Sequence, residues 1–548
     1  MKLKKTLLSV ALLGATSAMA YEADKTYQFT VLHTNDMHGH FWPNEKGEYG
    51  YAAQKAVVDN IRKEVEAKGS SVILLNGGDL NTGVPESDTQ SARPDIEGMN
   101  AIGYDAMALG NHEFDNPLQQ LEMQEKWAKF PLLSANVINK ATNKPLVTPY
   151  AMFDKSGLKV AVVGLTTEDT AKLGNPEYTG GLEFKNPIQT AKETLAKINE
   201  TEKPDVRIAV THMGYYNDGK HGSNAPGDVT MARTLDKGAF DIIVGGHTHE
   251  TLCLDDKGAL KTKYKPGEEC RPDYQNGTHI LQAGEWGKFL GRADFEFKNG
   301  ETKLVKYELI PINLKEKIKK EDGTSEYRLY KEEIKADPAL QAELQKYQDE
   351  GDKLLGQVVG EVKGGKLEGN RDIVRFHQTN LGRLIAQSQM QRVGADIGIM
   401  NSGGIRTSIE EGAVTYKNII AVQPFGNMIS TVEMKGQELL DYLTEVAIKE
   451  PNTGAYPQFA GISMTVDRAA KKISDVKIGG KPFDMNKTYK ISVPDYCASG
   501  GDGYPVLKKH PTYINTNFID AEMLKKFFEE NKVIDASKFD PKDEIIFK

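Results

Sequence analysis

The segment Gln28-Phe-Thr-Val-Leu-His-Thr-Asn-Asp-Met-His38 decides the fold class, because an apolar run ends there in residue types that are common metal ligands. Residues 28–34 have the pattern of a β-strand, so Asp36 and His38 would lie just beyond its carboxyl end. In open α/β sheets, functional groups gather at this end of the strands. Four more motifs follow predicted strands: Gly77-Gly78-Asp79, Gly110-Asn111-His112-Glu113, Thr211-His212 and Gly245-Gly246-His247-Thr248-His249.

The strands that precede these motifs alternate with helices. Helical spacing predicts helices over 52–68 and 186–200. Residues 289–297 and 302–312 have the pattern of a β-hairpin. Such alternation indicates a layered α/β domain. The further strands predicted from apolar runs are 71–75, 105–109, 158–164, 207–210 and 241–244.

A charge-rich stretch over 315–352 separates this pattern from a second one. Within it, residues 337–354 have the pattern of an exposed helix, which we interpret as a linker. A second α/β pattern follows, with a helix over 380–392, a strand over 396–400 and a helix over 436–448. The 548 residues also exceed the size of one ordinary domain. We therefore predict a first domain over 21–330, a linker helix over 331–355 and a second domain over 356–548.

The bulk composition is that of a globular protein, with 39% hydrophobic and 27% charged residues. The net charge of -8 argues against nucleic-acid duplexes as partners, because these require basic patches. Three lysines, an apolar run over 7–13 and Ala18-Met19-Ala20 predict a signal peptide cleaved before Tyr21. The apolar run is too short for a membrane anchor. We expect export to the periplasm.

The three cysteines have two readings in an exported protein. Cys253 and Cys270 flank one polar loop and could close it as a disulfide, which leaves Cys497 as a buried thiol. The alternative is three free thiols, which an oxidising compartment disfavours.

Five of the 11 histidines fall within the five motifs. A lone histidine at a strand end is more often a structural hydrogen-bond donor than a ligand, but the five motifs together reinforce each other. Imidazole and carboxylate ligands favour Zn, Mn, Fe or Co. A carboxylate in a glycine-rich loop, such as Asp79, can bridge two ions. The motifs therefore predict two divalent metal ions.

The order Asp-x-His, Gly-Asp, Gly-Asn-His-Glu, His and Gly-His-x-His resembles that of the calcineurin-like metallophosphoesterases. The resemblance implies a layered β-sandwich flanked by helices, and two ions that activate a water for in-line attack on phosphorus. It implies His112 and Asp115 as a catalytic dyad. Many periplasmic relatives have an amide where His249 stands, so the metal preference of this chain stays open. The implied ligands are Asp36, His38, Asp79 and His249 for one ion, and Asp79, Asn111, His212 and His247 for the other.

The second half carries residues suited to a nucleotide. Arg371 and Arg375 are four residues apart, and Arg406 follows a glycine turn. Arginine binds phosphate in a bidentate manner, although surface salt bridges are the plainer explanation for any single one. Phe425 and Tyr496 lie in turn-rich segments, where a pair of rings could stack on a base.

These segments resemble the C-terminal domain of the 5'-nucleotidases, which is a smaller α/β substrate-binding domain. The resemblance implies that the three arginines hold phosphate and that Phe425 and Tyr496 sandwich the base. It implies that Asn427 contacts the base and Asp502 the ribose hydroxyls. Relatives have phenylalanine at the position of Tyr496. Their linker helix acts as a hinge that carries the nucleotide to the metals.

We therefore predict an enzyme that hydrolyses nucleoside 5'-phosphates, and also UDP-sugars, for nucleotide salvage. It would be a monomer that uses two divalent ions, with Zn, Mn or Co as the candidates. Two alternatives remain: a 2',3'-cyclic-nucleotide phosphodiesterase with 3'-nucleotidase activity, and a non-catalytic nucleotide-binding surface protein.

Overall fold

The first half is a β-sandwich built from two six-stranded sheets. The computed structural model describes residues 21–173, 176–219, 225–261, 264–320 and 324–548, so the predicted leader lies outside the described residues. The first sheet has the order Glu301–Pro311, Phe289–Lys298, Tyr27–Thr34, Ser71–Asn76, Ala106–Ala108 and Leu132–Leu133. The second has the order Asp273–Gln275, Thr278–Leu281, Ile242–Val244, Val206–His212, Leu158–Thr166 and Tyr150–Lys155.

The strands that precede the motifs are parallel to one another within each sheet. Apolar side chains alternate along them and fill the space between the sheets, where Phe29 and Val31 meet Val160 and Val162. Fully burying such side chains stabilises the fold by about 1.5–3 kcal/mol each. The predicted hairpin is present as Phe289–Lys298 paired with Glu301–Pro311.

Helices cover both outer faces of the sandwich and complete a four-layer α/β arrangement. Val58 and Ile61 of one helix pack on the first sheet, and Leu195 and Ile198 of another pack on the second. The layered α/β prediction is therefore confirmed. The helices of this half are Tyr51–Glu66, Pro85–Asp88, Arg93–Ile102, Leu118–Trp127, Thr170–Leu173, Pro176–Thr179, Pro187–Thr201 and Asp228–Thr234. A small sheet is formed by Lys144–Pro145, Val137–Asn139 and Leu182–Phe184.

Aspartates at the amino ends of the strands have a structural role. Asp105, Asp205 and Asp241 each directly precede a strand. Each carboxylate accepts a hydrogen bond of 2.8 Å from a backbone N–H of the neighbouring strand. These contacts satisfy backbone donors at one edge of the sandwich. The five motifs all lie at the opposite edge.

The charge-rich stretch is more structured than its composition indicates. It begins with a hairpin of Lys315–Lys319 and Ser325–Leu329. The following helix spans Pro338–Leu355, and the Asp337 carboxylate caps it by accepting from the Leu340 N–H at 2.8 Å. The prediction of an exposed helix is wrong on one face, because Leu340 and Leu344 are buried in the core of the first half.

The same helix connects the two halves physically. Gly351 lies against Glu86, since a Cβ at this glycine would come within 2.6 Å of the Glu86 side chain. At its end, Leu355 joins the core of the second half. The helix therefore packs into both cores. The domain boundaries at residues 330 and 355 stay predictions.

The second half is built on a five-stranded mixed sheet with a hydrophobic core on each face. Its strands have the order Pro457–Ala460, Ile397–Asn401, Thr488–Pro494, Met428–Lys435 and Ile514–Ile519. Two smaller sheets contain Gly412–Thr415, Val358–Lys363 and Val533–Asp535, and Lys481–Pro482, Lys472–Ile478, Ile462–Asp467 and Ile545–Phe547. The helices are Arg371–Val374, Asn380–Arg392, Tyr416–Val422, Gly436–Ala447, Asp495–Ala498 and Asp520–Asn531. Among the residues described, no helix combines the length and apolar composition needed to cross a membrane.

Cys253 and Cys270 form a disulfide across 17 residues, and Cys497 is a buried free thiol. The prediction of a Cys253–Cys270 disulfide with Cys497 as a buried thiol is therefore confirmed. Both bonded cysteines belong to the core between the two sheets. The bridge ties the loop after the His247 motif to that core.

Removal of the bridge is expected to lower stability. A loop of this length gives a stabilisation of about 3 kcal/mol, so Cys253→Ser/Cys270→Ser should reduce the free energy of unfolding in urea by about that amount. Thiol titration of the unreduced, unfolded wild-type protein should detect one group, and Cys497→Ala should detect none. Three reactive thiols in the wild type would contradict the pairing.

Candidate metal centre

The carboxyl ends of the parallel strands of both sheets meet at one edge of the sandwich. The strand Tyr27–Thr34 leads into Asp36, and Ser71–Asn76 leads into Asp79. From the second sheet, His212 is the last residue of its strand and His247 follows Ile242–Val244. Side chains that are far apart in sequence are thereby brought together.

The first cluster contains Asp36, His38 and His249. His249 Nε2 lies 3.2 Å from Asp36 Oδ1 and 3.2 Å from His38 Nε2. His38 Nε2 is also 3.8 Å from Asp79 Oδ2. Such an arrangement of two imidazoles and two carboxylates is suited to a borderline divalent cation.

The second cluster contains Asp79, His212 and His247, whose candidate ligand atoms lie within 4.8 Å of one another. His212 Nε2 is 2.9 Å from Asp79 Oδ2. Asn111 Oδ1 is buried without a hydrogen-bond partner in the described structure. A buried polar atom without a partner is costly, and a cation would satisfy it. Asp79 contacts both clusters, as a bridging carboxylate must.

Most of these residues have a strained backbone. Left-handed φ angles are uncommon outside glycine and concentrate at functional sites. Asp36 is held in this conformation by a bond from its N–H to Gly78 O at 2.9 Å, and His38 by one to Asp79 O at 3.1 Å. The affected residues are Asp36 (φ 52°), His38 (48°), Asp79 (58°), His247 (77°) and His249 (56°).

Glycines beside the ligands allow this close approach. A Cβ at Gly110 would lie 2.1 Å from Asp79 Oδ1, and one at Gly78 would lie 2.8 Å from His212 Nδ1. Any side chain at either position would displace a candidate ligand. The glycines of the motifs are therefore required by packing as well as by the turns.

The electrostatics of the pocket favour cations. Asp36 and Asp79 are 0% and 2% exposed. Burial opposes their ionisation, but the hydrogen bond from His249 lowers the pKa of Asp36, and nearby His212 lowers the pKa of Asp79 well below its usual value. Burial likewise opposes the charge of His212, but Asp79 outweighs it and raises the pKa of His212 to about 9. Two buried carboxylates thus require positive charge, which two divalent ions would supply.

The remaining ring nitrogens are fixed by backbone carbonyls. His212 Nδ1 lies 2.8 Å from Gly77 O, and His38 Nδ1 lies 2.8 Å from Thr82 O. Such partners orient ligand imidazoles and leave Nε2 for the metal. The residues present therefore fit two divalent ions.

Glu113 organises the loops, and the sequence reasoning assigned it no role. Its buried carboxylate accepts backbone hydrogen bonds from Gly110 at 2.6 Å, Leu80 at 2.8 Å and Asp79 at 3.1 Å. It therefore joins the loops that carry Asp79 and Asn111. Its position in the Gly-Asn-His-Glu motif was the available signal.

The predicted dyad is also assembled. His112 Nδ1 lies 2.6 Å from Asp115 Oδ2, and the same oxygen accepts from Thr82 Oγ1 at 2.6 Å. A ring nitrogen of His112 lies within 4.8 Å of the ligand atoms of His38 and Asp79. Burial opposes protonation, but Asp115 and Asp79 raise the pKa of His112 to about 10. The imidazole is thus held as a proton-bearing group beside the clusters. Thr82, which holds Asp115 through this hydrogen bond, is a second residue of the site that no sequence motif indicated.

In the second half, the three arginines converge. Burial and then the charges of Arg371 and Arg406 lower the pKa of Arg375, and its Nε is buried without a partner. Within the described part of the chain, none of the three has a carboxylate partner within 4.0 Å. No ion pair among the described residues therefore accounts for these arginines. Converging arginines without a carboxylate partner in this part of the chain are suited to an anion.

The two aromatic residues lie near this cluster and are exposed, Phe425 by 57% and Tyr496 by 46%. The Arg406 guanidinium lies 5.4 Å from the Phe425 ring centroid. The Tyr496 hydroxyl donates to Asp502 Oδ1 at 3.2 Å. Both rings are therefore accessible beside the arginines.

Polar neighbours orient the remaining residues. Asn401 Nδ2 donates to Asp502 Oδ2 at 2.8 Å. Asn427 Nδ2 donates to the buried carboxylate of Asp520 at 3.2 Å, which leaves Asn427 Oδ1 as an acceptor. All seven predicted substrate residues thus lie in the second half, with Arg371 and Tyr496 on the short helices Arg371–Val374 and Asp495–Ala498.

Comparison with known families matches the two halves separately. The family described as "Calcineurin-like phosphoesterase" matches residues 29–251, and "5'-nucleotidase, C-terminal domain" matches residues 358–509. The first match contains all the candidate metal ligands. The second contains all the candidate substrate residues.

Whole-chain comparisons give the same assignment. The chain is 56% identical to a 5'-nucleotidase of Vibrio vulnificus over 99% of both chains. It is 55% identical to protein UshA of Escherichia coli over 98% of both chains. NAD nucleotidase of Haemophilus influenzae shares the fold with a TM-score of 0.70, at 23% identity over 96% of this chain and 99% of that one.

Asp79→Asn is expected to weaken both metal positions, because the neutral amide cannot bridge two cations. Equilibrium dialysis followed by metal analysis should show less bound metal at every free concentration. Asp205→Asn, which alters a carboxylate at the opposite edge, should bind as the wild type does. Wild-type metal binding by Asp79→Asn would exclude the bridging role.

Proposed function

The chain belongs to the 5'-nucleotidase family of metallophosphoesterases, and we propose that it releases phosphate from nucleoside 5'-phosphates and also cleaves UDP-sugars. It is a hydrolase of the metallophosphoesterase class. One observation carries the proposal: two carboxylate–imidazole clusters share Asp79 in a chain that also presents three arginines with no carboxylate within 4.0 Å among the described residues.

We assign Asp36, His38, Asp79 and His249 to one ion, with Zn, Mn or Co as the candidates. Asp79, Asn111, His212 and His247 would hold the second. When bound, the two ions supply Lewis acidity toward the phosphoryl group and toward an attacking water. The strained loops hold the ligands in place before an ion arrives, so little reorganisation is needed.

His112 and Asp115 would supply the proton that the reaction needs. Asp115 fixes the imidazole of His112 through Nδ1, and Thr82 fixes Asp115. The Nε2 of His112 is then left to donate a hydrogen bond to the phosphoryl oxygens or to the leaving oxygen as negative charge develops. No covalent phosphoenzyme is required.

The second half would recognise the nucleotide. We propose that Arg371, Arg375 and Arg406 hold phosphate and that Phe425 and Tyr496 stack on the base. Asn427 offers an acceptor to the base edge. Asp502 would accept from the ribose hydroxyls, and its hydrogen bonds to Tyr496 and Asn401 already orient it.

We further propose that the protein acts in the periplasm as a monomer after removal of residues 1–20. The Cys253–Cys270 disulfide supports an oxidising compartment. Nucleotides that reach this compartment would be dephosphorylated there, which yields nucleosides for salvage.

The decisive experiment is phosphate release from AMP, 3'-AMP, 2',3'-cyclic AMP and a UDP-sugar, before and after chelation and with Mn, Co or Zn restored. Turnover of AMP and the UDP-sugar, lost on chelation and regained with metal, is expected. Preference for 2',3'-cyclic AMP and 3'-AMP would instead support a cyclic phosphodiesterase. Absence of turnover on all four would support a non-catalytic binding protein.

His112→Ala should lower kcat while leaving metal content and KM for AMP nearly unchanged. Groups that transfer protons or stabilise charge contribute about 10²–10⁴-fold. Steady-state kinetics with parallel metal analysis measure this, and Asp115→Asn should show a smaller loss of kcat. Loss of metal from His112→Ala would make His112 a ligand.

Phe425→Ala should weaken AMP more than a small alkyl phosphate. Stacking contributes about 1–3 kcal/mol per base, which corresponds to roughly tenfold or more in KM. The measured quantity is kcat/KM on AMP divided by that on the alkyl phosphate. Tyr496→Phe keeps the ring and serves as the matched control, with a nearly unchanged ratio. An unchanged ratio in Phe425→Ala would make this ring a packing residue only.

A further inference from the structure

The turn Ala283-Gly284-Glu285-Trp286-Gly287-Lys288 borders the metal centre, although none of its residues belongs to the five motifs. It follows the strand Thr278–Leu281, which is parallel to the strand before His247. Trp286 N–H donates to Asp36 O at 2.8 Å, and Asn35 Nδ2 donates to Gly284 O at 2.6 Å. The turn is therefore fixed relative to the Asp36 loop.

Glu285 contacts His249, one of the candidate ligands. Its Oε2 lies 2.7 Å from His249 Nδ1. The other nitrogen of that ring, Nε2, lies 3.2 Å from Asp36 Oδ1 and 3.2 Å from His38 Nε2. An imidazole has only two nitrogens, so a carboxylate on Nδ1 directs Nε2 toward the metal cluster.

The Glu285 carboxylate is itself anchored. Its Oε1 accepts from Lys288 Nζ at 2.6 Å. Lys288 Nζ lies 3.9 Å from the centroid of the Trp286 ring, and that ring stacks on His40 with centroids 4.4 Å apart. An exposed ion pair with free side chains would contribute little. Here the carboxylate is fixed by a lysine that packs on a stacked aromatic pair.

We propose that Glu285 is a positioning residue for His249 and thereby sets the affinity and the metal preference of the site formed with Asp36 and His38. The proposal rests on the ligand set assigned above. The imidazole of His249, oriented by Glu285, gives this site a second nitrogen donor beside His38. Nitrogen ligation favours Zn and Co over Mn.

The test measures metal binding rather than activity. Chelated, metal-free protein is titrated with Co²⁺, followed by its visible absorption, and with Zn²⁺ and Mn²⁺ against a chromophoric chelator. Partners behind a ligand typically contribute 10–100-fold in metal affinity. Glu285→Gln should weaken one of the two Co²⁺ positions within that range and change its spectrum, and Glu285→Ala should weaken it more. The second position should be unchanged.

A double-mutant cycle tests whether Glu285 affects Co²⁺ affinity through His249. In a His249→Gln background, Glu285→Gln should cause no further loss of Co²⁺ affinity, and the preference for Zn²⁺ over Mn²⁺ should fall in both variants. Glu64→Gln is the matched control, because Glu64 is also bound by two cationic side chains, Lys68 and Arg292, away from the centre. It should bind metals as the wild type does.

Two outcomes would overturn the proposal: wild-type Co²⁺ binding in both Glu285 variants, or an equal loss with and without His249. Thermal melting of each metal-free variant shows whether it is folded, and Glu285→Gln keeps the size of the side chain if Glu285→Ala does not fold. AMP hydrolysis by the wild type is measured in parallel. If it is absent while the cycle behaves as expected, the proposed function fails and the role of Glu285 stands.

Discussion

The burial of two carboxylates in one pocket is the constraint on which the rest of the first half depends. Asp36 and Asp79 are almost completely inaccessible to water, and they are contacted by histidines, by backbone N–H groups and, for Asp36, by the Asn35 amide. Isolated charges in such a setting are strongly destabilising unless they are paired or coordinate metals. The loops, glycines and outer partners can all be understood as means of holding these two groups where cations can reach them.

The scaffold makes that arrangement possible by separating two kinds of aspartate. Those at the amino ends of the strands, such as Asp205, satisfy backbone donors and stabilise the sheets. Those at the carboxyl ends, Asp36 and Asp79, have left-handed backbone conformations, and their carboxylates belong to the candidate metal clusters. Glu113 connects the two strained loops to each other, because its carboxylate accepts from backbone N–H groups of both, Asp79 and Leu80 in one and Gly110 in the other.

The second half concentrates positive charge, where the first half concentrates negative charge. Arg371, Arg375 and Arg406 place positive charge together without a carboxylate to neutralise it among the described residues, beside exposed rings. An anionic group would neutralise the arginines, and an aromatic base would cover the exposed rings. The linker helix packs into the cores of both halves, so the position of one half relative to the other depends on contacts such as Gly351 with Glu86.

The sequence by itself determined the layered α/β class, most strand and helix positions and the set of metal-binding residue types, because these depend on local periodicity and on motifs at strand ends. The helix Asn380–Arg392 and the hairpin from Phe289 follow directly from such patterns. Only the tertiary structure decided which side of the linker helix is buried, and that Glu113, Thr82 and Glu285 support the site. Their partners lie on other strands and loops, and a contact between residues distant in sequence leaves no local periodicity. The lack of a carboxylate within 4.0 Å of the three arginines, among the described residues, is of the same kind, since a salt bridge depends on what the fold brings together.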